Sequence, residues 1–400
     1  MGHPPPIQRR FAVSTIRCGV IGAGGRSRGV LVPLRRAFPE VDLRLVHDPD
    51  PKAVASFQKQ FGDDIQSVDD PLAVARSEDV DWVFVFSPNH AHMEHAVTAL
   101  DAGKHLFCEK PLALSFDDAI AIREAQLRNG GSFVLGFTLR FSPHYRRIAS
   151  IIEEGGIGRP ISFEFNETLN PHHGGYIHSQ WRRQRALAGT HMLEKCCHDI
   201  DIANWFAGCR ARRVASFGGL DFFTAANAGH VDRIGPQPGT GVPMFHGWDT
   251  NAFISAFNDD KDIFDNQVAL IEYESGLRAC FHTNACSPIP ERRIMIIGEE
   301  GAIRADVVAG RIEHRRIGWN EPTLVYEEAS GGHGGGDEVL AEELKRCMLE
   351  GVDPAVGVQA GLEAAVTVFA IDRAADEGRV VDLTEDWQRV DATSAASLTA

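Results

Sequence analysis

Residues 194–201 read EKCCHDID, which places two cysteines, a histidine, two aspartates and a glutamate within eight positions. Two chemistries compete for such a stretch, a metal site and an acid–base centre, and spacing separates them. Apolar Leu193, Cys197 and Ile200 recur at i, i+4 and i+7, so the segment reads as one continuous helix. At about 100° per residue, Glu194, His198 and Asp201 share a neighbouring stripe of that helix, and Cys196 and Cys197 fall outside it. Adjacent cysteines also lack the Cys-x-x-Cys spacing that brings two thiolates to one zinc. The segment therefore reads as an acid–base helix, with no metal expected.

An acid–base helix needs a reacting partner, and the N-terminal third offers one. IRCGVIG (16–22) is a short buried strand, GAGGRSRG comes next, and an amphipathic stretch runs from Val30 to Phe38. Strand, glycine turn and helix in that order form the dinucleotide-binding context. Gly22 permits the tight turn, while Gly24 and Gly25 let the backbone approach a pyrophosphate. The third glycine of the usual G-x-G-x-x-G pattern is replaced by Ser27, and Gly29 comes two residues late. A second strand ends at Asp48, 26 residues after Gly22. A carboxylate there accepts hydrogen bonds from ribose hydroxyls and repels a 2′-phosphate, which favours NAD over NADP. Arg26 and Arg28 in the glycine loop argue the other way, as phosphate partners. Further strands and helices alternate through GSFVLGF (131–137), the pattern of a doubly wound parallel sheet. Ligands lie beyond the carboxyl ends of such strands, and Ser87, Pro88, Asn89, His92, Glu109 and Lys110 sit at that edge.

The bulk numbers narrow the class. The chain has 400 residues, enough for two domains, with 44% hydrophobic and 24% charged residues. A net charge of −15 argues against nucleic acid or an anionic membrane as partner. No apolar run approaches the ~20 residues of a membrane helix. Arg9-Arg10 resembles an export signal, but no apolar core or cleavage site comes after it, and residues 1–14 read as a disordered tail. Eight scattered cysteines, mostly in apolar segments, suggest reduced thiols and a cytoplasmic location. Residues 226–250, rich in glycine and proline, read as a long surface loop.

Three segments together resemble one family: SPNHAHMEHAVTALDAGKHLFCEKPLA (87–113), GTHMLEKCCHDIDIANWF (189–206) and GGHGGGDEVL (331–340). The chain looks like a member of the glucose-fructose oxidoreductase, inositol dehydrogenase and rhizopine-catabolism family, usually called Gfo/Idh/MocA. The resemblance spans roughly residues 16–385. It implies a Rossmann domain, taken as 15–138, and a C-terminal α/β domain with a large, mostly antiparallel sheet, taken as 139–390. It also implies a nicotinamide cofactor, a sugar or cyclitol substrate and a homodimer or homotetramer. The family's Glu-Lys-Pro lysine matches Lys110, followed by a cis bond to Pro111. Its second motif, usually D-x-x-x-H-x-x-D, matches Glu194, His198 and Asp201, with glutamate in the first position. Its asparagine and histidine after the fourth strand match Asn89 and His92.

Oxidising a secondary alcohol needs a base for the hydroxyl proton and a cation for the developing alkoxide. His198 suits the first role and Lys110 the second, with Glu194 to orient the imidazole or bind a hydroxyl. Asp201 is expected to accept hydrogen bonds from sugar hydroxyls. Lys195, Asp199, Trp181, Arg140 and His333 are further candidates for the substrate, and Tyr145 and Arg140 equally suit the domain joint. HGGGD (333–337) lacks a preceding strand and a P-loop lysine, so it reads as a substrate-side loop rather than a phosphate cradle. The leading reading is an NAD-dependent dehydrogenase acting on a sugar, glycoside or cyclitol. Two others compete: a glycosidase or lyase that oxidises, eliminates and reduces again with no net NADH, and a non-catalytic sugar- or dinucleotide-sensing regulator.

Overall fold

The computed structural model describes residues 15–246, 254–328 and 332–397. The expected N-terminal tail and the last residues of the 226–250 loop lie outside them. Six strands form the first sheet: β1 (Ile16–Ile21), β2 (Val41–His47), β3 (Gln66–Ser67), β4 (Trp82–Val85), β5 (His105–Cys108) and β6 (Phe133–Leu135). All pair in parallel in the order β3-β2-β1-β4-β5-β6. The chain reverses direction across the sheet between β1 and β4, which opens a crevice at their carboxyl ends. β4 and β6 are buried along their whole length, as strands covered on both faces must be.

The second sheet has nine strands in the order β14-β13-β12-β11-β7-β10-β9-β8-β15. They are β7 (Pro160–Thr168), β8 (Ala211–Gly219), β9 (Asn266–Tyr273), β10 (Arg278–Asn284), β11 (Arg293–Gly298), β12 (Gly301–Asp306), β13 (Arg311–Arg316), β14 (Leu324–Glu327) and β15 (Val381–Asp382). Only β7 and β10 pair in parallel, so this sheet is mostly antiparallel. Helices Cys197–Ala207 and Val358–Glu377 pack on one face of it. Val358–Glu377 also packs on Phe116–Asn129, and Gly336–Glu350 packs on Gly25–Ala37, so C-terminal helices clasp the nucleotide-binding sheet. One continuous apolar core runs through both sheets, from Ile16 to Val390.

Two local expectations change. The 226–250 stretch is partly ordered: a short helix spans His230–Ile234, closed by Gly235 at φ +70°. A strand, β14, does precede HGGGD. The loop itself is left-handed at His333 (φ 53°) and Gly334 (φ 56°). A Cβ on Gly334 would meet Ser142 Oγ at 2.6 Å, so only glycine lets this turn press against the helix that comes after β6.

Candidate active site

A cavity of about 1120 Å³ opens at the carboxyl ends of β1, β2, β4 and β5 and is closed on the far side by the C-terminal domain. Its cofactor wall is mostly backbone. Gly22 sits at φ +99°, and a Cβ there would lie 2.7 Å from the Phe86 carbonyl. A Cβ on Gly24 or Gly25 would meet nothing within 4 Å, so both face open cavity at the start of helix Gly25–Ala37. That is room for a pyrophosphate against helix N–H groups, and these residues fit a dinucleotide. Asp48 lines the same wall, held by N–H donation from Ala23 (2.8 Å) and Asp50 (2.9 Å).

Ser27 resolves the imperfect glycine pattern. It is fully buried, its hydroxyl donates to the Gly24 carbonyl at 2.8 Å, and it stands behind the loop rather than on the cavity wall. Arg26 lines the cavity, but its guanidinium is committed elsewhere: Nε to Glu109 (2.5 Å), Nη1 to Asp337 (2.7 Å) and Nη2 to Thr138 (2.8 Å). Arg28 donates to Ser56 at 3.0 Å on the surface. Both guanidiniums are already engaged by groups of the chain. Ser87 bonds His95, Asn89 donates to the Ala188 carbonyl, and His92 bridges the Ser87 and Pro111 carbonyls at 3.0 and 2.7 Å. His92 thereby braces the Lys110–Pro111 peptide, which is cis as the resemblance implied.

The reacting groups converge where Lys110 meets the C-terminal domain. Lys110 Nζ donates to the Glu194 carbonyl and lies 3.5 Å from its carboxylate. Burial pulls the ammonium pKa down, but Glu194, Cys197 and Glu109 outweigh it and the net shift is upward. Glu194 is buried, yet Lys110, Arg182 and Lys195 overcome that burial and hold its carboxyl well below the usual range. His198 is 3% exposed, and its Nδ1 has no hydrogen-bond partner among the described residues. Burial first, then Lys110, Arg292, His333 and Lys195, push its pKa well below 6.5. The imidazole is therefore neutral near pH 7, beside a permanently charged lysine. His333 stacks obliquely 5.8 Å from it and is anchored to Asp337 at 3.0 Å.

The stripe expected from helical spacing is broken. Helix His191–Glu194 ends at Lys195, and a new helix begins at Cys197. At the break the Cys196 N–H reaches back to the His191 carbonyl (3.4 Å), a turn one residue wider than an α-helix. The extra residue re-phases the second helix. Glu194, Lys195 and His198 line the cavity, while Asp199 and Asp201 do not. Asp201 is 1% exposed and takes a two-pronged bond from Arg140 at 2.7 Å each. Burial raises its pKa to about 6 against that arginine's pull. Arg140 is thus spent on Asp201 rather than on the cavity. Tyr145 is buried in the core.

Asp199 accepts two bonds from Arg292 (2.8 and 2.7 Å), and Arg292 also reaches Glu167 at 3.1 Å, as does Lys195. Cys196 lies close enough to Glu167 and Asp199 for the three to face one cation. Their chemistry argues against a metal: both carboxylates are already bound by guanidinium and ammonium, and burial holds the thiol protonated. Trp181 lines the cavity with residues that sequence reading missed: His173, Tyr176 and Arg182. They come from helix Pro171–Ser179 and the turn Trp181–Arg183. The aromatic and basic run HHGGYIHSQWRR was the available signal.

This fold and cavity define a two-domain, dinucleotide-dependent oxidoreductase. The chain belongs to the Gfo/Idh/MocA oxidoreductase family: the family's NAD-binding Rossmann profile matches residues 16–137 and its C-terminal α/β profile matches 149–383. It binds NAD. The Bacillus subtilis protein YteT, named as an oxidoreductase, is 23% identical over 96% of this chain and 95% of its own. Inositol 2-dehydrogenase 3 of Saccharopolyspora erythraea is 32% identical over 48% of this chain, and the match spans 53% of that enzyme. The solved levoglucosan dehydrogenase in complex with NADH and levoglucosan superposes with TM-score 0.75 at 20% identity, covering 92% of this chain and 99% of that one.

Proposed function

We propose that this protein oxidises a secondary hydroxyl of a sugar, glycoside or cyclitol to a ketone. NAD, when bound, supplies the hydride acceptor. The observation that carries the reading is that Lys110 and neutral His198 face the same cavity as the glycine turn and Asp48. His198 accepts the hydroxyl proton, because an imidazole kept neutral by burial and surrounding cations has a free lone pair. Lys110, held charged by Glu194, donates to the oxygen as negative charge develops there. Glu194 fixes that ammonium through its own carbonyl and carboxylate. Trp181 and Tyr176 line the cavity and add aromatic surface beside the Arg182 guanidinium for a ring substrate. Named relatives act on inositol and levoglucosan, which supports a polyhydroxylated substrate. A panel of sugars, glycosides and cyclitols at fixed NAD, monitored by reduced-nicotinamide absorbance, tests this. Absence of turnover across the panel in NAD-binding protein would overturn it.

The open face of the second sheet supports a homodimer or homotetramer. Phe217, Val268, Leu270 and Ile297 stand on it at 72, 44, 57 and 42% exposure. Phe217 pairs with Val268, and Leu270 with Cys280, making one apolar surface. Leu270→Glu should dissociate the assembly in sedimentation velocity. For location, the reading is cytoplasmic, supported by five buried free thiols (Cys18, Cys108, Cys196, Cys197, Cys347). No helix among the described residues is long and apolar enough to cross a membrane.

A further inference from the structure

The substrate side of the cavity is rich in cations. Lys110, Arg182 and Lys195 line it, with Arg292 directly behind. Against these four cations stand three carboxylates: Glu194 on the wall, Glu167 and Asp199 behind it. Asp199 is matched to Arg292 and Glu167 to Lys195, which leaves Glu194 to serve both Lys110 (3.5 Å) and Arg182 (3.0 Å). His198 and His173 add no charge near neutrality, since burial drives the first well below 6.5 and the second to about 3. The neighbouring carboxylates are committed: Asp201 to Arg140, and Glu109 and Asp337 to Arg26. With Arg26, Glu109 and Asp337 add one negative charge, so the charged groups around the cavity balance, and what a ligand meets depends on which cation has bonding capacity to spare.

Arg182 is that cation. Nε donates to Glu194, and neither terminal nitrogen makes a hydrogen bond among the described residues. The guanidinium lies over the Trp181 ring at 4.4 Å and the Tyr176 ring at 4.9 Å. Stacking between two rings holds the planar fork in one orientation before any ligand arrives, and a planar fork suits a carboxylate.

We infer that the substrate is a sugar acid, and that Arg182 binds its carboxylate while Lys110 and His198 act on a hydroxyl of the same ring. This rests on the proposed oxidation and narrows its substrate class. The carboxylate has two sources, a free hexuronate or a hexuronoside, and the test separates them.

NADH-loaded full-length protein is titrated with galacturonate and glucuronate, their methyl glycosides, and the matched neutral hexoses and methyl hexosides. Turnover with NAD is measured in parallel. The acids should bind about 10- to 150-fold more tightly than their neutral counterparts, the range of one charged hydrogen bond. A preference confined to the glycosides points to a hexuronoside. In Arg182→Gln the acid-to-neutral ratio should collapse towards one, and Arg182→Lys should recover part of it, with melting temperatures checking the fold. Equal affinity for acid and neutral sugars in the unmodified protein, or an unchanged ratio in folded Arg182→Gln, would overturn the inference. Oxidation of neutral sugars without acid preference leaves the oxidation reading standing and removes this one. Acid-selective binding without any reduced nicotinamide does the reverse, and binding in neither series removes both.

Discussion

The two ends of the cavity are built on different principles. At the cofactor end the contacts are backbone: Gly22, Gly24 and Gly25 shape a turn, and Asp48 is pinned by two main-chain N–H groups. At the substrate end the charged groups are side chains held by other charged side chains. Glu167 on β7, Arg182 on a turn, Lys195 at a helix break and Arg292 before β11 meet within one network. A backbone cradle depends on local conformation and tolerates change in side chains. An ion-pair mosaic depends on every member, because removing one strands its partner in a dry place.

That contrast can be broken most severely at the junction of the two ends. His198→Ala and Lys110→Ala should each lower kcat by about 10²–10⁴-fold while NAD affinity, read by fluorescence titration, stays within a few-fold. The pH profile sharpens the same point. Because burial and nearby cations hold His198 neutral well below 6.5, the base should remain competent as pH falls from 8 to 6. A loss centred on the free imidazole value of about 6.5 would contradict that environment.

Arg140→Ala comes next. It leaves Asp201, 1% exposed, without its partner, and should cost about 3–5 kcal/mol in denaturant unfolding. The folded fraction should keep its KM for substrate, since neither residue lines the cavity. A raised KM with unchanged stability would return Asp201 to the substrate.

A smaller effect is expected at Asp372, which is buried and accepts a bond from Thr190 at 2.5 Å while its other oxygen has no partner among the described residues. Burial, opposed by Thr190 and Gln267, raises its pKa from 3.8 to about 7. A raised carboxyl pKa means the folded protein holds the proton more tightly. That contribution is complete below about pH 4 and is lost as pH rises to about 7. Asp372→Asn should therefore match the parent near pH 4 and exceed it by about 1–3 kcal/mol at pH 9 in chemical denaturation.

The smallest effect belongs to the cysteines. Cys196→Ser keeps a donor to Thr283 Oγ1, now 3.3 Å away, and should cost no more than about 1.5 kcal/mol with full turnover. Loss of turnover on the scale of His198→Ala, in folded protein, would put a thiolate into the chemistry.

The cofactor end and the sheet order were legible because their signals are local: apolar strands, a glycine turn, an acid at a strand end. Lys110 and His198 stood out through the resemblance of their surroundings. Asp201 misled because the periodicity argument assumed an unbroken helix, and the wide turn at Cys196 shifts the phase of the second helix; Asp199, named only as a further carboxylate for substrate hydroxyls, is taken up by Arg292. Glu167 and Arg292 were invisible because nothing in a linear sequence says which arginine will meet which carboxylate across more than a hundred residues, whereas Arg182 stands in the aromatic and basic run HHGGYIHSQWRR. Ser27 read as a flaw in the glycine pattern. Its hydroxyl turns back on Gly24, so the helix packs closely without a third glycine.

Helix Pro171–Ser179 carries its own instruction about size. Gly174 and Gly175 are pressed against the backbone of Ala285 and Phe245, and a side chain on either would collide with main chain. His178 on the same helix lies flat on Phe223 at 4.6 Å, in a small aromatic box with Phe245 and Phe257. The cavity's outer wall is therefore set from behind, by residues that do not line it. Trimming Phe245 or Phe257 should let the wall recede with every cavity-lining residue intact.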